Sequence, residues 1–484
     1  MVAALIATMF PLVADAEVPM PTADFAKSEI GEELSGGAAT SQKGINRNAF
    51  SHASDNLKFA QEMYFKVGNG FFRRLWVSAP SSTQSADGLG PIFNARSCQR
   101  CHLKDGRGHP PTANWPVDNA VSMFLRLSVP PKTDAERTEL AKGRAMVIPE
   151  PIYGGQLQDF AIQGLSPEGR MHITYIPVSV TLDDGTMVEL RNPIYKITNL
   201  AFGPMHPDTM LSPRVAPPMI GLGLLEMIEE GDIRSLADPM DTDGDDISGK
   251  TQRTWDTITD KPALGRFDWK AGNPTVRQQT ASAFAGDIGI SNPLVPTHWG
   301  DCTEKQVLCR KAPDGGGTAS QGSFEASEEV LELVAFYSRN LAVPKRRKVD
   351  NAQVLAGKKI FYLSGCVDCH TPKYVTGTDP RRPEHSNQLI WPYTDLLLHD
   401  MGDGLDDGRP EGRANGREWK TPPLWGVGLT ETVNGHTNFL HDGRARNLLE
   451  AILWHGGEAE AAKERVRKLP QKEREALLAF LNSL

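Results

Sequence analysis

Apolar positions recur at helical spacing in four parts of the chain. In residues 56–67, Leu57, Phe59, Ala60, Met63, Tyr64 and Val67 form one such run, which predicts a helix ended by Gly68-Asn69-Gly70. Residues 325–341 repeat Val330, Leu331, Val334, Phe336 and Tyr337, a second amphipathic helix. After Val349 the pattern resets. Asp350 is placed to cap a helix whose buried side carries Val354, Leu355, Gly357, Ile360 and Phe361, with Gly357 small enough to let another helix approach closely. The chain closes on a helix that starts at Pro470 and turns Leu477, Leu478, Phe480, Leu481 and Leu484 inward. Between these, residues 171–200 switch to period two around Asp183-Asp184-Gly185, a β-hairpin signal. Residues 17–45 are Gly/Ser/Thr-rich and read as a flexible segment. Pro344-Lys345-Arg346-Arg347-Lys348 reads as an exposed linker.

Length and charge narrow the class. A chain of 484 residues holds two or three domains. A net charge of −8 argues against a nucleic-acid partner and offers no broad basic patch to a membrane surface. The N-terminus is apolar as far as Val13 and ends in Ala14-Asp15-Ala16, an A-x-A cleavage pattern without a basic leader. It is too short to span a bilayer, and Pro11 interrupts it. Residues 1–16 therefore read as a cleaved signal peptide, and the mature chain is expected in the periplasm.

The chemistry sits in two strings, Cys98-Gln99-Arg100-Cys101-His102 and Cys366-Val367-Asp368-Cys369-His370. C-x-x-C-H is a c-type haem attachment pattern: two sulfurs bond the vinyl groups of one haem and the histidine reaches its iron. With six Cys and 12 His in the chain, even one chance copy is expected only roughly 0.002 times. The competing readings are disulfides, redox C-x-x-C pairs, or a zinc site pooling four cysteines; none requires the histidine that follows in both copies. Cys302 and Cys309 close a short loop, expected as a disulfide in an oxidising compartment. The expected fold is mainly α: two cytochrome c-like haem domains with an inserted β-hairpin-containing region and long loops. The boundaries are 46–345 for the N-terminal haem domain with its β-containing insertion and 346–484 for the C-terminal cytochrome c domain.

Longer strings carry a resemblance. GPIFNARSCQRCHLKDGRG (90–108), YGGQLQDFAIQG (153–164), APPMIGLGLLEMI (216–228), WPYTDLLLHDMGDGL (391–405) and FLHDGRARNLLEAILWHGGEA (439–459) resemble the dihaem oxidoreductase family, labelled peroxidase and sometimes thiol oxidoreductase. The match runs from about residue 50 to the end. The C-terminal half is more distantly similar to bacterial dihaem cytochrome c peroxidases, and beyond them to enzymes that modify methylamine dehydrogenase and to rubber oxygenases. The resemblance implies two covalent haems, a small periplasmic electron-donor protein, and peroxide or a related small oxidant as substrate. It implies that electrons enter through the second domain and react at the first haem, with Trp391 as a candidate electron relay between the haems; the competing reading of Trp391 is core packing. The alternatives are a non-catalytic dihaem electron carrier, or an enzyme oxidising or oxygenating an organic substrate.

Axial ligation divides these functions: an iron closed on both faces conducts, an open one reacts. His102 and His370 take the proximal positions. His455 follows Leu448, Ala451 and Ile452 on one helix face and is the first candidate for the sixth ligand of the second haem. In the peroxidases the corresponding helix gives a Met, so His455 implies bis-His ligation and a lower potential. His399 and Met401 are rivals, and His441 reads as a hydrogen-bonding pocket residue. For the first haem, Met205, His206, Met210 and Met219 are the available ligands. Glu226, an acid within an apolar run, is the candidate catalytic acid–base, with burial expected to raise its pKa; the competing reading is a salt-bridged structural Glu. Asp241, Asp243 and Asp245 alternate as in oxygen-ligand calcium loops, with Asp238 upstream and Gln252 where a full loop carries Glu.

Overall fold

The computed structural model describes residues 18–119, 121–316 and 322–484; the expected signal peptide lies outside them. Helix makes up 28% and strand 17%, which corrects the mainly α expectation. The described strands lie in six separate two-stranded antiparallel sheets. Most are too short to show a period in sequence, and several pair with partners far along the chain. Seven helices frame the site: α1 (Phe59–Arg73), α2 (Cys98–Cys101), α3 (Val276–Ala283), α4 (Glu328–Arg339), α5 (Ala352–Leu363), α6 (Leu448–Leu453) and α7 (Gln471–Ser483). Six strands matter: β1 (Met123–Ser128), β2 (Arg170–Thr181), β3 (Met187–Thr198), β4 (Met210–Val215), β5 (Leu398–Asp400) and β6 (Glu418–Lys420).

The long hairpin forms where period two ran: β2 and β3 pair from Arg170↔Thr198 to Thr181↔Met187, burying Met171, Ile173 and Leu190. β1 pairs with the distant β4, and β5 with β6 so that His399 faces Trp419.

α1 runs through Gly68 and Gly70 rather than stopping there. A Cβ at Gly68 would lie 2.2 Å from the Leu333 carbonyl oxygen, so this glycine permits close packing of α1 on α4. The buried face is Phe65, Gly68 and Phe72, not the run read from the sequence. α5 and α7 cross just as closely at Gly357, where a Cβ would meet the Ala476 carbonyl oxygen at 1.9 Å. Asn351, not Asp350, caps α5, accepting from the Gln353 and Val354 amides; Asp350 accepts from the Ser28 hydroxyl at 2.6 Å.

Residues 18–45 are docked, correcting the flexible reading. Glu32 is buried and accepts from Lys358 Nζ at 2.8 Å and from the Arg346 guanidinium. Arg346 is buried with it, so the basic run after Pro344 is only partly exposed: Lys345 and Lys348 face solvent while Arg346 ties the run to the core. Composition pointed to disorder, but a buried carboxylate with two cationic partners outweighs it.

The core crosses the 345/346 boundary. One cluster joins Phe50, Ile220 and Leu264 to Tyr374, Leu396 and Trp425; another joins Leu125, Tyr153 and Leu190 to Trp419 and Leu453. Both halves of the chain therefore wall a shared interior.

Candidate functional site

That interior holds a cavity of about 760 Å³ lined by both C-x-x-C-H strings. α2 presents Cys98 and Cys101 beneath α1, with the Phe72 and His102 rings 6.3 Å apart. The end of α5 delivers Cys366 and Cys369 beside α7. His102 Nδ1 lies 2.8 Å from the Pro217 carbonyl, and His370 Nδ1 2.9 Å from that of Tyr393. A carbonyl only accepts, so each Nδ1 carries the proton and each Nε2 keeps a lone pair. Burial pushes both imidazoles down to about 4, against the pull of those carbonyls. Both are neutral near pH 7, as a metal ligand must be.

The four cysteines outside the disulfide separate the readings. Burial pushes Cys98 and Cys366 up to about 12, so they are thiols, unlike the low-pKa thiolates of redox C-x-x-C pairs. They do not pool: among the described residues, only Asp241, Asp243 and Asp245 group as metal ligands. Cys302 and Cys309 form the expected disulfide, with Cα atoms 6.0 Å apart.

The profile of a family described as "Di-haem oxidoreductase, putative peroxidase" matches residues 30–484. The chain belongs to this family. No curated protein and no solved structure matches it. The family implies two haems, and the cavity suits them: it is mostly apolar, presents two neutral histidines, and receives cationic side chains fit to meet propionates. Arg107, Arg266 and Lys420 line it; Lys420 is buried, and burial pushes its pKa down to about 8.

The second half of the chain supplies several further histidines to the cavity. His455, just past α6, bonds the Ala451 carbonyl through Nδ1 at 2.7 Å, leaving Nε2 free in the same way as His370. Met401 lines the cavity too, its backbone close against Gly456. His399 is committed elsewhere: Nε2 is 2.7 Å from Asp395 and Nδ1 2.6 Å from Glu458. Burial opposes its charge, but Asp395 and Glu458 hold its pKa well above the usual histidine value. His441 stacks on Trp419 at 3.7 Å, with Lys270 Nζ 4.4 Å from that ring.

The first half supplies no histidine to the cavity besides His102, and one methionine, Met219. Met205 packs against the hairpin cluster, His206 bonds Lys132, and Met210 sits in β4. Glu226 does not line the cavity. It bonds Arg339 Nε at 2.7 Å, Arg382 at 2.6 Å and the Val276 amide at 2.8 Å. Burial acts to raise its pKa, but the two arginines hold it below the usual range, the reverse of the expectation. Trp391 is likewise outside the lining, packed among Val354, Tyr393 and Phe480.

Sequence reasoning missed Asp287. A single π-helical turn, Phe284–Ile288, follows α3 and aims it into the cavity near Cys98 and Cys101; such turns are rare and frequent at functional sites. Gln156 Nε2 donates to Oδ1 at 3.0 Å, and Oδ2 has no hydrogen-bond partner among the described residues. Burial raises its pKa against the pull of Arg126. Arg126 also lines the cavity, its guanidinium 5.1 Å from the Phe124 ring centre, and makes no salt bridge. No local pattern marked Asp287, because its role depends on β1 and the 153–164 loop folding over it.

Proposed function

We propose that this protein is a periplasmic c-type dihaem oxidoreductase of peroxidase type. Cys98 with Cys101, and Cys366 with Cys369, would each attach one haem, and His102 and His370 would hold the irons through Nε2. The observation that carries the reading is the asymmetry of the remaining ligands. His455 and Met401 stand ready in the second half of the cavity; the first half offers only Met219. We assign His455 to close the second haem, leaving the first open to a small oxidant.

The haems, when bound, supply the electrons; two electrons and two protons turn one peroxide into two waters. The chain's own groups manage the protons. Asp287 Oδ2, free of partners, takes the proton from the bound oxidant and returns it to the departing oxygen. Gln156 fixes the carboxylate's other oxygen. Arg126 lends a positive field to the oxygen on which charge builds. Glu226, paired with two arginines, holds no mobile proton and serves packing.

We also propose calcium at Asp241, Asp243 and Asp245. Their carboxylate oxygens lie within 4.8 Å of one another, and Asp241 Oδ1 is buried without a donor. Tb³⁺ luminescence or calorimetry with Ca²⁺ tests it; no binding that an Asp243→Asn, Asp245→Asn double variant weakens removes it.

Absorption and electron paramagnetic spectra of the oxidised protein test the main reading. One high-spin and one low-spin haem are expected, and His455→Ala should convert the second to high-spin. Two low-spin haems with no peroxide consumption would instead make Met219 a ligand and the protein an electron carrier.

A further inference from the structure

α1 has two apolar faces. One packs on α4 through Phe65, Gly68 and Phe72. On the other side, Phe59, Met63, Tyr64 and Val67 are 81%, 49%, 58% and 45% exposed. These residues looked like a core stripe in the sequence, yet they stay exposed, Tyr64 meeting the Phe336 ring edge-on at 6.2 Å. Leu75 and Leu103, each about half exposed, carry the apolar surface from the end of α1 to the residue after His102. Contiguous exposed apolar surface on a globular protein marks an interaction site more often than chance.

Charge decides what fits there. Residues 58–104 hold seven Lys and Arg against two carboxylates, Glu62 and the buried Asp87, in a chain whose net charge is −8. None of the seven closes a salt bridge among the described residues. Lys66 and Arg73 stand on α1 itself, Arg96 precedes the first motif and Arg100 lies within it, all four exposed. A second copy of the same surface would bring like charges together, so the rim disfavours self-association. An apolar helix face that carries exposed Lys66 and Arg73 on the same helix, within a locally cationic stretch, suits a transient partner whose own rim is acidic.

We propose that the outer face of α1 is the docking surface for a small acidic electron-transfer protein, which delivers electrons at the first-haem end of the molecule. This rests on the dihaem reading above and departs from the resemblance, which placed electron arrival at the second domain. The second haem then holds the second electron of the pair in reserve.

The test is stopped-flow reduction of the oxidised holoprotein by a reduced acidic monohaem cytochrome c and, separately, a basic one. The acidic donor should be at least about tenfold faster at low salt, with the advantage lost at high ionic strength. A Lys66→Glu, Arg73→Glu variant should slow it about tenfold, and a Phe59→Ser, Met63→Ser variant should also slow it. Dithionite should reduce every variant at the wild-type rate. A faster basic donor, or variants without effect, overturns the proposal. So does a dimer by sedimentation, or adsorption to phosphatidylglycerol vesicles, that the serine variant abolishes. Because the readout is haem reduction, it stands or falls apart from whether peroxide is turned over.

Discussion

The two C-x-x-C-H neighbourhoods share one cavity and differ in what surrounds each histidine. Around His370 the chain places His455, with a free Nε2, and Met401, while His399 is tied up between two carboxylates against Cys369. Around His102 it stocks a carboxylate and a guanidinium, Asp287 and Arg126, with bonding capacity left over. Identical C-x-x-C-H motifs thus sit in two settings, one rich in imidazole and thioether groups and the other carrying a carboxylate and a guanidinium. In the function proposed above, the motif would hold a haem and these surroundings would decide what it does.

Removing the attachment sulfurs should split the pair most sharply. Cys98→Ala with Cys101→Ala, or Cys366→Ala with Cys369→Ala, should each leave one covalent haem, read as half the haem stain per chain on a denaturing gel. The first variant should lose all peroxide turnover and keep the low-spin signal; the second should keep the high-spin signal. If both abolish the same signal, the division of labour is wrong.

Next in size is Asp287→Asn, which keeps shape but cannot shuttle a proton. Peroxide turnover should fall by roughly 10²–10⁴, with both haems still bound and the second-haem spectrum unchanged. Glu226 is the control, another buried acid but one clamped by arginines. Glu226→Gln should leave turnover per folded molecule intact and cost about 3–5 kcal/mol of stability, because Arg339 and Arg382 lose a buried counter-charge. Its folded pKa lies below the ordinary value. Its contribution is therefore full above that ordinary carboxylate range and disappears as pH falls through the lower folded value. Urea titrations should show the wild-type advantage at pH 7 shrinking toward pH 3; an advantage that grows on acidification breaks the assignment.

These sites were unequally legible. The disulfide and the long hairpin could be read because each is written in contiguous sequence. His455 was visible from its place on one helix face. Glu226 looked catalytic because an acid in an apolar run signals burial, but the arginines that neutralise it come from 113 and 156 residues away. Asp287 was hidden for the converse reason: its local sequence is ordinary, and only β1 and the 153–164 loop give it a cavity. The mainly α expectation failed on the same point, since strands such as β1 and β4 exist only through each other.

Gly68→Ala is the smallest change and probes the first neighbourhood alone. The added methyl meets the Leu333 carbonyl oxygen at 2.2 Å and the Tyr337 Cβ at 2.8 Å, so α1 must move off α4. Alanine's better helix propensity returns at most about 1 kcal/mol, less than the cost of overpacking, so a net loss of about 1–2 kcal/mol is expected. Displacement of α1 carries Phe72, which neighbours His102, and Tyr337, whose hydroxyl donates to Asp105 at 2.7 Å just past the motif. The first haem's absorption should therefore shift while the second's does not. Equal shifts in both would mean that the shared cavity transmits strain as one body, and that the two neighbourhoods are less separate than their ligands suggest.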